Sequence, residues 1–130
     1  MDFSKKRIAV LGAGKMGGIL LKAFAEKRMI SPELTRATVQ HDERARSLSE
    51  KLGVPVGVDN AAAVSGAEIV FICVKPQVVQ EVIEQIRPSL TGKQLFISVA
   101  ASVSTGQIEQ ALGGEARVMR ATSFTPPHAS

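Results

Sequence analysis

Apolar positions along the chain switch between two periods, and the switching predicts strands and helices in alternation. Arg7-Ile8-Ala9-Val10-Leu11 is a short apolar run closed by Gly12, the pattern of a buried strand. From Lys15 to about Lys27 the period lengthens. Met16, Ile19, Leu20, Ala23 and Phe24 fall at i, i+3, i+4, i+7 and i+8, which is one face of a helix, and Ser31-Pro32 breaks it. Thr35 to Gln40 predicts a second strand, and Glu43 to Leu52 a second helix ended by Gly53. Val54 to Val58 predicts a short strand weakened by Pro55 and Gly57. Asn60 is placed to cap a brief helix through Val64.

The second half repeats the alternation. Glu68 to Val74 is almost wholly apolar, as a strand covered on both faces should be, and Lys75-Pro76 ends it. Val78, Val79, Val82, Ile83 and Ile86 form a helical stripe that stops before Pro88. Gln94 to Val99 predicts a strand. Ser104 with Gln107 resembles a capping box ahead of Ile108 and Leu112, Gly113-Gly114 ends that helix, and Ala116 to Arg120 predicts a last strand. Six strands with intervening helices imply parallel neighbours joined by right-handed crossovers. The expected fold is a single α/β domain, a Rossmann-type, doubly wound, mainly parallel sheet. Ligands of such sheets bind beyond the carboxyl ends of the strands, so the informative residues lie just after Leu11, Gln40, Val74 and Val99.

Composition narrows the classes. The 130 residues suffice for one domain with one core, and 45% hydrophobic with 22% charged residues argues against disorder. No apolar run approaches the ~20 residues of a membrane span. The polar start Met1-Asp2-Phe3-Ser4-Lys5-Lys6-Arg7 is followed by too short an apolar run for a signal peptide, so a cytoplasmic protein is expected. The net charge of +4 suits a phosphate-bearing ligand. The basic residues are scattered, and no Tyr or Trp is present to stack bases, so nucleic acid and membrane are not expected partners. One cysteine, Cys73, excludes a disulfide within the chain, and with His41 and His128 it makes no metal site, so no metal is expected. Cys73 reads as a small buried apolar residue.

The chemistry concentrates after the strands. Gly12-Ala13-Gly14-Lys15-Met16-Gly17 follows a strand and opens a helix, the context that gives this spacing meaning. Gly12 permits a tight turn, Gly14 lets backbone approach a pyrophosphate, and Gly17 lets helix sit close to strand. The helix amino terminus adds N–H groups and partial positive charge. A dinucleotide is the expected ligand. S-adenosylmethionine, another nucleotide, or a purely structural glycine turn are the alternatives here. After the second strand, Asp42 and Glu43 would suit a free ribose 2′-hydroxyl, whereas Arg44 and Arg46 would suit a 2′-phosphate. The same residues also read as solvated charges in a first helical turn, and His41 as a ribose contact or an exposed loop histidine. Lys75 brings a cation to the ligand edge, or is a solvated loop lysine. Small residues at Ala100, Ala101 and Ser102 would let a flat ring or a ribose pass near the backbone, or serve a tight helix–strand contact.

Three segments in this order, Leu11 to Gly17, Val74-Lys75-Pro76-Gln77 and Ile97-Ser98-Val99-Ala100-Ala101, resemble the pyrroline-5-carboxylate reductase family over roughly residues 7 to 121. The resemblance implies hydride transfer from NADPH or NADH to a cyclic imine, in proline biosynthesis, with NADP favoured and NAD the second choice. It implies that Leu11, Gly12, Ala13, Gly14, Lys15 and Met16 hold the pyrophosphate and that Gln40 or His41 meets the adenosine ribose. It further implies that Asn60 contacts the cofactor, that Cys73 to Pro76, with Gln77 following, run along it toward the nicotinamide, and that Ala100 to Ser102 form its small-residue loop. Ser102 stands where the family usually has Gly.

The end of the chain departs from the family. Where Arg, one variable residue and Met-Pro-Asn-Thr-Pro are expected, the sequence has Arg120-Ala121-Thr122-Ser123-Phe124-Thr125-Pro126. The organisation expected is a dinucleotide-binding domain over 1–121 and a departing tail over 122–130, without the family's helical domain for dimerisation and substrate. A monomer or weak dimer is the corresponding expectation, although the family forms homo-oligomers. No residue stands out as acid or base, so no catalytic residue is named. The rivals are a non-catalytic nucleotide-binding module, and another reductase of the same half-fold, such as a β-hydroxyacid dehydrogenase or a deazaflavin-dependent NADP reductase.

Overall fold

Alternate residues of the central strands serve two different cores, which is why those strands are apolar without interruption. In a computed structural model, which describes residues 3–98, 105–112 and 117–120, β1 (Ile8–Leu11) and β4 (Ile69–Ile72) are buried at every position. Ile8, Val10, Ile69 and Phe71 face one side; Ala9, Leu11, Val70 and Ile72 face the other. The first side is covered by α1 (Lys15–Glu26) and α2 (Asp42–Leu52), which bring Leu20, Leu21, Phe24, Ala45 and Leu48. Phe3, Phe24 and Phe71 meet there with ring centroids 5.6–6.0 Å apart. The second side is covered by α3 (Asn60–Val64), α4 (Val79–Ile86) and α5 (Thr105–Leu112), with Val64, Val79, Ile83, Ile86 and Ile108 fully buried. Each such aliphatic side chain contributes ~1.5–3 kcal/mol on burial.

The remaining strands are β2 (Thr35–Thr38), β3 (Val56–Gly57), β5 (Leu95–Ser98) and β6 (Arg117–Arg120). The sheet order is β3-β2-β1-β4-β5-β6 and every pair is parallel. This is the doubly wound order expected from the alternation, with the reversal between β1 and β4. Among the described residues no helix is long and apolar enough to cross a membrane.

Three local expectations change. The strand expected over Val54 to Val58 pairs only at Val56 and Gly57, because Pro55 and Gly57 are poor strand residues and the segment lies at the sheet edge. The cap of α3 is Asp59, not Asn60: the Asp59 carboxylate accepts from the Ala62 N–H at 3.2 Å. The β2 strand stops at Thr38, which leaves Val39 and Gln40 in the loop beyond it. Gly53, left-handed at φ 68°, ends α2 as expected. Ser104, Gly113-Gly114, Ala121 and the 122–130 tail lie outside the described residues.

Candidate functional site

The turn after β1 is tied down by its neighbours on both sides. The Cys73 N–H donates to the Leu11 carbonyl at 2.9 Å, which holds the end of β1 against the segment after β4. The Gly12 N–H donates to Thr38 Oγ1 at 3.2 Å and the Ala13 N–H to the Thr38 carbonyl at 2.6 Å, so the end of β2 fixes the start of the loop. The Gly14 N–H folds back to the Gly12 carbonyl at 2.7 Å. Three consecutive amides are thus committed within the protein. The donors that remain for an anion are those of the first turn of α1, whose N-cap is Gly14, with no side-chain cap and no acidic residue in that turn.

Each glycine of the loop has a separate physical requirement. Gly12 sits at φ +82°, and a Cβ there would lie 2.6 Å from Val74 Cγ1 and 3.0 Å from Val74 Cα. At Gly17 a Cβ would lie 2.7 Å from the Gly12 carbonyl oxygen, so α1 rests directly on the turn. At Gly14 a Cβ would meet nothing within 4 Å, and the residue is exposed. The loop therefore closes tightly inside and stays open at its middle glycine, which fits a pyrophosphate lying over Gly14 and the start of α1.

Two hollows flank this opening. A cleft of about 190 Å³ lies between the ends of β1 and β2 and helix α4, lined by Gly12, Thr38, Gln40, Val58, Asn60, Val74 and Gln85 among others. Its wall carries a file of hydrogen bonds: Thr38 Oγ1 donates to Asn60 Oδ1 at 2.6 Å, and Asn60 Nδ2 donates to Gln85 Oε1 at 2.8 Å. A wider groove of about 780 Å³ runs between α1 and α2, lined by Gly14, Gly18, Ile19, Lys22, Arg44 and Lys51 among others. The Arg44 guanidinium reaches across to Gly18, 3.9 Å from where a Cβ would stand. A third depression of about 480 Å³, beside Lys6, Glu68 and Lys93, lies at the opposite, amino-terminal edge of the strands, away from the glycine loop.

The expected site residues divide accordingly. Gly12, Gln40, Asn60 and Val74 line the cleft and Gly14 and Arg44 the groove, while Leu11 and Ala13 of the same turn are fully buried beneath them. His41 is exposed at the N-cap position of α2 and its side chain makes no capping bond. Lys75 and Gln77 are exposed at the ligand edge, where Pro76 opens a short 3-10 turn over Pro76–Val78. Ala100, Ala101 and Ser102 lie outside the described residues. Thr38, Glu81 and Gln85 escaped the sequence reading. A threonine at the last position of β2, at the ligand edge of the sheet, is the signal for the first. Nothing distinguishes Gln85 or Glu81 from other polar residues of a helix. Among the described residues no cluster of His, Cys, Asp or Glu can hold a metal.

Cys73 is partly open at its surface, but burial around the sulfur pushes its thiol from 9.0 up to about 12. The group is therefore a thiol and not a thiolate in the folded chain. We expect a thiol reagent in mildly alkaline buffer to label the folded chain far more slowly than the urea-unfolded one; equal rates would contradict it. The raised value also sets a sign for stability. The contribution is fully present below about pH 9 and is lost as the pH rises toward 12, because the unfolded chain releases this proton first.

Comparison with known proteins agrees with the fold. A family model described as "NADP oxidoreductase coenzyme F420-dependent" matches residues 7–102. The chain is 34% identical over 115 residues to a pyrroline-5-carboxylate reductase of Methanosarcina acetivorans, covering 88% of this chain and 43% of that protein. A pyrroline-5-carboxylate reductase structure from Coxiella burnetii superposes with a TM-score of 0.79 at 28% identity, over 88% of this chain and 43% of the other. A Plasmodium falciparum pyrroline carboxylate reductase with NADP bound shares the fold at a TM-score of 0.74 and 21% identity, over 88% and 41% of the two chains. The chain thus spans less than half the length of these relatives.

Proposed function

Since this chain belongs to the family of NADP oxidoreductases described as coenzyme F420-dependent, we propose that it binds a reduced nicotinamide dinucleotide for a reductase of the pyrroline-5-carboxylate type. The observation that carries the reading is the glycine loop: amides of Gly12, Ala13 and Gly14 spent internally, Gly14 open, and α1 uncapped behind it. The first-turn backbone of α1 at Lys15, Met16 and Gly17 would hold the pyrophosphate, with the helix dipole favouring its charge. Gln40, Asn60 and Val74 would line the adenosine, and Lys75, Pro76 and Gln77 would lie toward the nicotinamide. The small-residue segment Ala100 to Ser102 would stand beside the ring. When bound, the nicotinamide supplies the hydride; the protein would orient it and exclude water, which is the protein's part in cofactor enzymes. The hydride acceptor under this reading is a small cyclic imine.

The relatives named as pyrroline-5-carboxylate reductases support the imine. The description of the family model supports a second reading, hydride exchange between NADP and a deazaflavin. Both need the same loop and differ only in the acceptor, so turnover with each acceptor separates them.

Arg44 favours NADPH over NADH. Its guanidinium crosses from α2 to Gly18, in the groove that also holds Gly14, and the same groove carries Lys22 and Lys51. A 2′-phosphate placed there gains a charge-assisted pair, worth roughly 1.5–3 kcal/mol. We expect calorimetric titration to show NADPH binding at least about 10-fold tighter than NADH, with Arg44→Ala removing most of the difference. An unchanged ratio in the variant would show that Arg44 is only a solvated charge. Failure of both dinucleotides to bind would remove the whole reading.

A further inference from the structure

The polarity of the hydrogen-bond file in the cleft wall is set at its origin by a group that can only donate, the Gly12 backbone N–H. Thr38, 2% exposed, accepts that hydrogen at Oγ1, so its own proton passes to Asn60 Oδ1. This orients the Asn60 amide, whose Nδ2 then faces Gln85 and donates to Oε1. Gln85 is left with its oxygen turned inward and its Nε2 as the donor at the far end. The bonds all point one way, and each polarises the next.

Gln85 shares the cleft with Glu81, one helical turn earlier on the same face of α4. Val39, Val58, Val74, Val78 and Val82 form the apolar part of the lining, beside Thr38, Gln40 and Asn60, and Val58 is 46% exposed despite its character. A flat ligand would find apolar walls on its faces, and at one rim an N–H donor beside a carboxylate acceptor. We propose that Gln85 and Glu81 read the edge of an adenine base. Gln85 Nε2 donates to the ring nitrogen N1, and the Glu81 carboxylate accepts from the 6-amino group. This rests on the dinucleotide reading above and adds base selectivity to it. Hypoxanthine reverses both groups, presenting an N1–H to the Gln85 donor and a carbonyl oxygen to the Glu81 carboxylate. Gln85 and Glu81 are exposed in the free chain, and a bound base would cover them, so a mismatched partner leaves covered polar groups facing their like.

The test is titration of the chain with NADPH and with reduced nicotinamide hypoxanthine dinucleotide phosphate. The folded chain is expected to prefer the adenine form by about 10-fold or more. In Gln85→Glu the inward oxygen still accepts from Asn60, so the file persists, but the outward group becomes an acceptor; the preference is expected to fall close to one. Glu81→Gln is expected to reduce it in part. Equal affinity of the unsubstituted chain for the two compounds overturns the base reading and leaves dinucleotide binding standing. A preference that survives in both variants also overturns it. Binding of neither compound overturns both readings. The comparison on the unsubstituted chain decides even if a variant fails to fold.

Discussion

Gly12→Ala is expected to cost the chain about 3 kcal/mol or more of stability. Two terms add. Alanine at φ +82° pays ~1–2 kcal/mol for the left-handed backbone. Its Cβ would also stand 2.6 Å from Val74 Cγ1 and 3.0 Å from Val74 N and Cα. The side-chain overlap is relieved by a rotamer change. The backbone overlap is not, because the preceding Cys73 N–H is bonded to the Leu11 carbonyl, so β1 and the segment after β4 must part. Overpacking of this kind adds ~1–3 kcal/mol. For a domain of this size the sum lowers the melting temperature by roughly 10 °C or more. Gly57→Ala is the control, since a Cβ there meets nothing within 4 Å and its φ is not positive. Thermal unfolding of both variants checks the argument, and a Gly12→Ala chain melting with the control would refute it.

That turn shows what a sequence carries and where it stops. The glycine spacing predicts the roles of Gly12 and Gly17, because a tight turn and a close helix each demand the absence of a Cβ. The central strands are equally legible. Glu68 to Val74 is apolar at successive positions, and only a strand covered on both faces needs that. The stripe of α1 is legible only in part: Leu20 and Phe24 join the core, but Ile19 is 37% exposed and Leu21, outside the stripe, is buried there instead. Boundaries are less legible: β3 shrinks to two residues because an edge strand with Pro55 and Gly57 has few partners to hold it.

The polar wiring of the site is the part that local pattern does not reveal. Asp59 and Asn60 are both good helix caps, and sequence does not rank them. Once Asp59 takes the cap, Asn60 is free to bond Thr38, 22 positions earlier. Thr38 meets Gly12 only because β2 lies beside β1, a contact made by topology across 26 positions. Arg44 reads as a first-turn surface charge until α2 docks beside α1 and turns it toward Gly18. These are non-local contacts between polar groups, and hydrophobic periodicity is silent on them.

Gly14→Asp is expected to abolish dinucleotide binding while leaving the fold intact, and this separation makes it the most discriminating single substitution. The added Cβ meets nothing within 4 Å, so the core does not register it. Gly14 is the N-cap of α1, with no side chain in the cap. Aspartate there can accept from first-turn amides, a cap worth ~1 kcal/mol, so the melting temperature is not expected to fall appreciably. The same carboxylate occupies the amides proposed for the pyrophosphate and places a negative charge against it. Like charges ~4 Å apart repel by ~4 kcal/mol at the effective dielectric near a protein surface, a loss of about 100-fold or more in affinity. Gly14→Asn supplies the cap without the charge and should lose less, so the gap between the two variants measures the electrostatic part. Calorimetric titration with NADPH beside thermal unfolding reads both quantities on one sample. If Gly14→Asp folds and binds as the unsubstituted chain does, the first turn of α1 is not the anion site, and the glycine loop serves only to pack helix on strand.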